Sequence, residues 1–299
     1  MPDTFYLSAE RVVYSFSPDH PAAIEVEPGS ILVVETRDAY DRQFRDEPDI
    51  ERYLRQRPTR ATNPAAGPIF VRGVEPGDSL DATIEKIELG LVGYVAAVPG
   101  IGVLGHSAIE PRIARFEVRE DGLWFGRLRL PLRPMVGVIG VAPASGSVPA
   151  ADLGYHGGNL DCSDVRQGTT LHFPAAVPGG LLALGDVHAS MGFGEVHSGV
   201  NIEARVHIRV ERTPGVGWRR PWFETTAEVM TVGVEERLEG AVRAATEGMV
   251  ALLQERLSIN YTEAIVLAGA SADIRLGQGG GYGVKVSAYA AFPKSALSA

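Results

Sequence analysis

The residues able to do chemistry concentrate between Gly154 and Glu203. That stretch holds four of the seven histidines, His156, His172, His188 and His197, among Asp161, Asp164, Asp186, Glu195 and Glu203. Two short clusters stand out. One runs His156-Gly157-Gly158-Asn159-Leu160-Asp161. The other runs Gly185-Asp186-Val187-His188 and is followed by Gly192-Phe193-Gly194-Glu195. Imidazole and carboxylate together suit zinc or a similar divalent cation, and the glycines let backbone approach an ion or a substrate closely. Asp186 and His188 are two apart, a spacing that turns both to one side of a strand. A solvated surface turn would account for any one of these residues alone. Two such clusters close together point to a metal or catalytic site.

The elements that must hold them are mostly strands. The 35 glycines and 20 prolines are spread along the chain as turn punctuation. Glu27-Pro28-Gly29-Ser30 delivers a strand over Ile31–Thr36, and Glu75-Pro76-Gly77-Asp78 one over Leu80–Ile87, the second alternating apolar and polar. Further strands are expected at 69–72, 114–119, 123–130, 169–173 and 200–211. Strands at this spacing argue for a sandwich or barrel. An amphipathic helix is expected over 234–256, with Leu238, Val242, Ala245, Met249, Leu252 and Leu253 on one face. A shorter one is expected over 262–269, capped by Asn260. Residues 37–60 are polar and lack a period, so they read as a long loop with one helical turn, a length often tied to function. No repeat or linker divides the chain, which reads as one domain over 1–299 with sub-lobes 1–145 (β), 146–220 (β, carrying the motifs) and 221–299 (α+β).

Composition narrows the function classes. Of the 299 residues 45% are apolar and 22% charged, which excludes wholesale disorder. The net charge of −9 argues against nucleic acid held through a basic surface. No apolar run is long enough to span a bilayer, and the first residues lack the pattern of a secretory signal, so a cytoplasmic protein with no membrane partner is expected. Cys162 is the only cysteine, which excludes an internal disulfide and a cysteine-based zinc cluster. Gly100-Ile101-Gly102-Val103-Leu104-Gly105 spells a dinucleotide fingerprint but no helix is readable after it, so a turn is expected there. Gly277–Gly283 lacks the Lys-Ser/Thr of a phosphate loop.

The two clusters resemble the acetamidase/formamidase family, whose core reads approximately H-G-G-N-x-D and then G-D-x-H-x-x-x-G-x-G-E. This sequence shows them as His156–Asp161 and Gly185–Glu195. Other pieces are similar and in order: Thr36-Arg37-Asp38-Ala39, Asn63 to Ile69, Val74 to Leu80, Pro134 to Pro143, and Ala272 to Gln278. The resemblance implies a mostly β fold, a jelly-roll-like β-sandwich with a smaller C-terminal α/β portion. It also implies a homo-oligomer, a dimer or larger, and metal-assisted hydrolysis of a small amide to a carboxylate and ammonia. Two departures stand out. Met191 and Phe193 replace residues that are often Gln and Asp in the family, and Gly279–Gly283 replaces a polar stretch. If Met191 and Phe193 line the pocket, larger apolar or cyclic amides are preferred over formamide.

Amide hydrolysis needs an activated water, a partner for the oxyanion and a proton for the leaving nitrogen. On that basis Asp38, His156, Asp161, Asp186 and His188 are the expected ligands of a divalent metal, zinc first, with calcium admissible as a structural second ion. Asp186 has the alternative role of orienting His188. Glu195 is the expected general acid/base and Asn159 the oxyanion partner. His172 reads as structural, and Cys162 lacks a base to make it a nucleophile. The competing class is a non-catalytic β-sandwich that binds a small ligand.

Overall fold

A computed structural model describes residues 4–56, 61–107, 109–279 and 285–297. It is a mostly β structure, 42% strand and 15% helix, built on a large curled antiparallel sheet. In its first layer strand Asn201–Thr213 lies between Ile31–Thr36 and Ser79–Ala97 and is antiparallel to both. The period-2 pattern of the sequence decides which side is buried. Leu32 and Val34, and Ile202, Val206, Ile208 and Val210, point into the core. In the second layer strand Leu182–His188 lies between Ala65–Val71 and Met135–Gly140. All seven of its residues are buried, so its sequence reads as a continuous run and not as an alternation. The layers meet where His188 pairs with Asn201.

The expected strand over 123–130 is a hairpin instead, Gly122–Phe125 and Leu128–Leu130. Gly126 takes the left-handed turn conformation, with φ +57°. Gly100–Gly105 is a turn closed by a bond from the Gly100 N–H to the Gly105 carbonyl, as the missing helix signal predicted.

Three α-helices, α1 (Ile50–Gln56), α2 (Leu238–Leu257) and α3 (Tyr261–Ser271), and a short 3-10 helix at Lys294–Leu297 complete the described chain. Helix α2 starts later than expected. Residues Glu228–Glu235 form a strand paired along its length with Val286–Pro293, because Val229, Val232 and Val234 are buried by the sheet and pairing overrides local helical preference. The expected apolar stripe of α2 then covers this pair through Ala245, Met249, Leu252 and Leu253. At Gly233 a Cβ would stand 2.0 Å from the Ala241 carbonyl oxygen, so helix and strand touch backbone to backbone. Helix α3 is capped as expected: the Asn260 side chain accepts from the Glu263 N–H, and the Glu263 carboxylate accepts from the Asn260 N–H.

The polar 37–60 loop is anchored by aromatics. Tyr40, Phe44 and Tyr53 pack on one another and on Tyr94 of the long strand. That cluster supplies the entropy-offsetting contacts a long loop needs and fixes Ala39 and Tyr40 above the sheet.

His172 is structural, as its place in a strand suggested. Its Nδ1 lies 2.7 Å from Asp81 Oδ1 and its Nε2 3.6 Å from Glu224 Oε1, and its ring stacks on Trp222. Burial works against charge on His172, but the two carboxylates outweigh it and raise its pKa. The His172 hydrogen bond and Lys294 pull Glu224 from 4.5 down to about 2. For Glu224 the folded value lies below the unfolded one, so its stabilisation is complete above 4.5 and is lost as pH falls through about 2. For His172 the folded value lies above, so its contribution is complete below 6.5 and fades as pH rises through the folded value. Glu224→Gln should therefore lower Tm most between pH 4.5 and 6.5, and the gap to wild type should shrink as pH falls through about 2 and close below it. A gap that stays constant on thermal melts across that range would rule this cluster out as the source.

Candidate active site

Three buried side chains converge where the two layers meet. Strand Leu182–His188 supplies Asp186 and His188, and Asp186 Oδ1 lies 3.1 Å from His188 Nε2. Asp161 follows strand Gly157–Asn159. Both aspartates hold left-handed backbone, φ +47° for Asp161 and φ +50° for Asp186, which swings their carboxylates toward each other. Gly137, on the strand opposite, makes room. A Cβ there would stand 2.6 Å from Asp161 Oδ1 and 3.1 Å from Asp186 Oδ2. Gly199 does the same for the imidazole, since its Cβ would lie 2.4 Å from His188 Nδ1.

One atom of each member lacks a hydrogen bond among the described residues: Asp161 Oδ1, His188 Nδ1 and Asp186 Oδ1, whose contact with His188 Nε2 is an ion pair without hydrogen-bond geometry. Buried polar atoms are nearly always satisfied, so three orphans together call for a ligand. One ligand atom from each of the three residues can be chosen so that all lie within 4.8 Å of one another. Two carboxylates and an imidazole are a donor set for a divalent cation. The remaining carboxylate oxygens are tied off. Asp161 Oδ2 accepts from Gln278 Nε2 at 3.2 Å, and Asp186 Oδ2 from Asn63 Nδ2 at 3.0 Å.

The charge balance agrees. Burial, then the nearby Glu195 and Asp186 carboxylates, push the Asp161 carboxyl well above its usual range. Glu195 also shares a hydrogen bond with it. Burial opposes charge on His188, yet Asp186 and Asp161 overcome that and raise its pKa. A cation here would take over the neutralisation that the proton on Asp161 otherwise provides.

Beside this cluster is a cavity of about 220 Å³. Asp186, His188, Glu195 and Asn159 line it together with Asn63, Asn201, Gln278 and Tyr40, while Ala39, Tyr53, Ala96 and Ile101 form its apolar wall. The Tyr40 hydroxyl oxygen accepts from the Ala96 N–H at 2.9 Å and from Asn201 Nδ2 at 3.2 Å, so the aromatic loop is tied to the site.

The sequence matches the model of the Acetamidase/Formamidase family over residues 6–150 and 145–279. The chain belongs to the acetamidase/formamidase family. An acetamidase of Mycolicibacterium smegmatis is 27% identical over 60% of this chain. The chain spans about 60% of the length of the curated relatives it matches. The crystal structure of an acetamidase from Bacillus halodurans is 31% identical, with a TM-score of 0.91 over 98% of both chains. That of an acetamidase from Yersinia enterocolitica is 27% identical, with a TM-score of 0.91 over 99% of this chain and 93% of its own.

Within this acetamidase/formamidase-family chain the expected site residues divide. Asp161, Asp186 and His188 come together, with Glu195 and Asn159 on the same cavity. His156 does not join them. It sits in the tight turn before Gly157, packs edge-on against Phe16, and borders a separate cavity with Tyr155, Arg219 and Lys285. Burial and then Lys285 bring its pKa down to about 4. His156 and Asp161 flank the short strand Gly157–Asn159, whose glycines take left-handed φ of +96° and +88°, and leave it at opposite ends. Asp38 is also set back. It is buried under the loop, where its Oδ1 accepts from the Tyr40 N–H at 2.8 Å, and it does not border the cavity. Burial raises its pKa to about 6.

Met191 and Phe193 do not line the pocket either. Met191 is packed inside, and Phe193 is 47% exposed beneath the Arg275 guanidinium. The preference for larger amides argued from them loses its basis. Of the glycine stretch 279–283, residues 280–283 lie outside the described residues. Burial, and then the neighbouring Asp161 and Asp164 carboxylates, push the Cys162 thiol well above its usual range, in keeping with no nucleophilic role. Asn63, Asn201, Gln278 and Tyr40 carried no signal of their own in the sequence. Asn63 and Gln278 appeared only as members of the family-like stretches.

Proposed function

We propose that this protein hydrolyses the carbon–nitrogen bond of a small primary amide, giving a carboxylate and ammonia. The proposal includes a divalent cation, zinc, held by Asp161, Asp186 and His188. The observation that carries it is the set of three orphaned ligand atoms, of which Asp186 and His188 line, together with Glu195, a cavity of about 220 Å³. That is below the roughly 300–1,000 Å³ of pockets for drug-sized ligands, so the occupant is small. The names of the similar acetamidases support the same substrate class.

When bound, the cation supplies a water of lowered pKa and polarises the amide carbonyl. The protein does the rest. Asn159 faces the carbonyl oxygen and offers a hydrogen bond to the developing oxyanion. Glu195, held against Asp161, takes a proton from the attacking water and passes it to the leaving nitrogen. Asn201 and Gln278 border the polar end of the cavity, and Ala39, Ala96 and Ile101 surround the short acyl group and keep bulk water off it. A pure binding role would leave the adjacent Asp161 and Glu195 carboxyls, costly as neighbours in a buried site, without a purpose.

Assembly as a homodimer or larger oligomer belongs to the proposal. The exposed Tyr261, Ile265 and Val266 of α3 support it. No described helix is long and apolar enough to cross a membrane. The test is ammonia release from formamide, acetamide, propionamide and benzamide by zinc-loaded protein, with and without chelator. We expect chelator-sensitive turnover of the small aliphatic amides and little of benzamide. Zinc-loaded protein that releases ammonia from none of them would refute the reading.

A further inference from the structure

Asn63 lies far in sequence from both site clusters, yet its side chain touches two members of the site. Its backbone is left-handed, φ +57°, a conformation that Asn tolerates better than most residues. Its N–H donates to the Ala39 carbonyl at 3.1 Å, which ties it to the aromatic loop. Its Nδ2 lies 3.0 Å from Asp186 Oδ2 and 3.2 Å from Asn159 Oδ1.

The polarity of this chain of contacts follows from the carboxylate. A carboxylate oxygen only accepts, so the atom of Asn63 that meets Asp186 must be its NH2. The second hydrogen of that NH2 meets Asn159, so the Asn159 atom there must be its carbonyl oxygen. The NH2 of Asn159 is then turned the other way. Asn159 borders the cavity, and among the described residues its one side-chain hydrogen bond is the one its oxygen accepts from Asn63.

We infer that Asn63 is a positioning residue. It orients the Asn159 amide so that its NH2 faces the substrate carbonyl. By occupying Asp186 Oδ2 it also leaves Oδ1 to the cation site. The role of Asn159 in turnover rests on the amidase reading; the orientation of its amide does not.

Asn63→Gly keeps the left-handed backbone, removes both donated hydrogen bonds and adds no charge. Asn63→Asp keeps the shape and turns the donors into acceptors. With zinc saturating and its content verified, we expect either variant to lose about 10²-fold or more in kcat, the scale of a lost oxyanion donor, with KM changing only a few-fold. In an Asn159→Ala background Asn63→Gly should cost less than about 3-fold, because residues acting through one another are not additive. A full repeat of the loss in that background would overturn the inference. Neutron diffraction from wild-type crystals exchanged into D2O reads the orientation without turnover. The Asn159 deuterons should lie on the atom facing the cavity, and a carbonyl oxygen there would overturn the inference whatever the activity. If wild type hydrolyses no amide, the proposed function falls while the nuclear density still decides the orientation.

Discussion

His188→Ala is expected to abolish cation binding and with it nearly all turnover. His188 is one of three residues whose orphaned atoms converge. Losing only an outer hydrogen-bond partner of a ligand already weakens metal affinity about 10–100-fold, so losing the imidazole should raise the zinc Kd by more than about 100-fold. The substitution also leaves Asp161 facing the Asp186 carboxylate with no positive neighbour, which should push the Asp161 pKa up further, since like charges in a buried site disfavour ionisation. Elemental analysis after dialysis and competition with a chromophoric chelator measure the first effect. Thermal melts measure a second. A ligand that binds only the folded state raises its stability in proportion to the logarithm of its concentration over Kd. Wild type should therefore gain Tm with zinc, and the variant should not. A variant that keeps stoichiometric zinc and its zinc-dependent Tm would remove His188 from the ligand set.

Glu195→Gln should separate chemistry from binding. Glu195 borders the cavity and hydrogen-bonds Asp161, at a residue whose left-handed backbone, φ +38°, follows Gly194. Glutamine preserves the size and can still hydrogen-bond, but it cannot exchange a proton. Loss of a general acid/base typically costs about 10²–10⁴ in rate. The variant should fold and retain zinc, with KM near wild type and kcat lower by that factor. Its pH–rate profile should also lose the limb that reports this carboxyl. Loss of zinc from the variant would instead make Glu195 a ligand, and turnover at the wild-type rate would remove it from the mechanism.

Where a local rule governs, the sequence was sufficient. The strand Ile31–Thr36 follows from a Pro-Gly turn and a β-branched run, the capping box of α3 from Asn260 and Glu263 three residues apart, and the stripe of α2 from its 3.6-residue period. The spacing of Asp186 and His188 places them side by side because both sit on one strand. The late start of α2 shows the limit. Residues 228–235 have a partner, Val286–Pro293, that lies some fifty residues further along, and nothing local announces it.

The composition of the site is a tertiary matter. His156 and Asp161 stand in one motif, yet a short strand carries them to opposite ends, so nearness in sequence became distance in space. Asn63, Asn201 and Gln278 are the reverse case, isolated polar residues brought to one cavity by sheet pairing and by the packed aromatics of the 37–60 loop. The chain by itself determined its strands, its caps and the chemical types available near Gly154–Glu203. Only the closure of the two layers decided which of those side chains meet. Ligand geometry depends on backbone direction over a few ångströms, as the left-handed Asp161 and Asp186 and the bare Gly137 opposite them show, and that direction is set by partners distant in the chain.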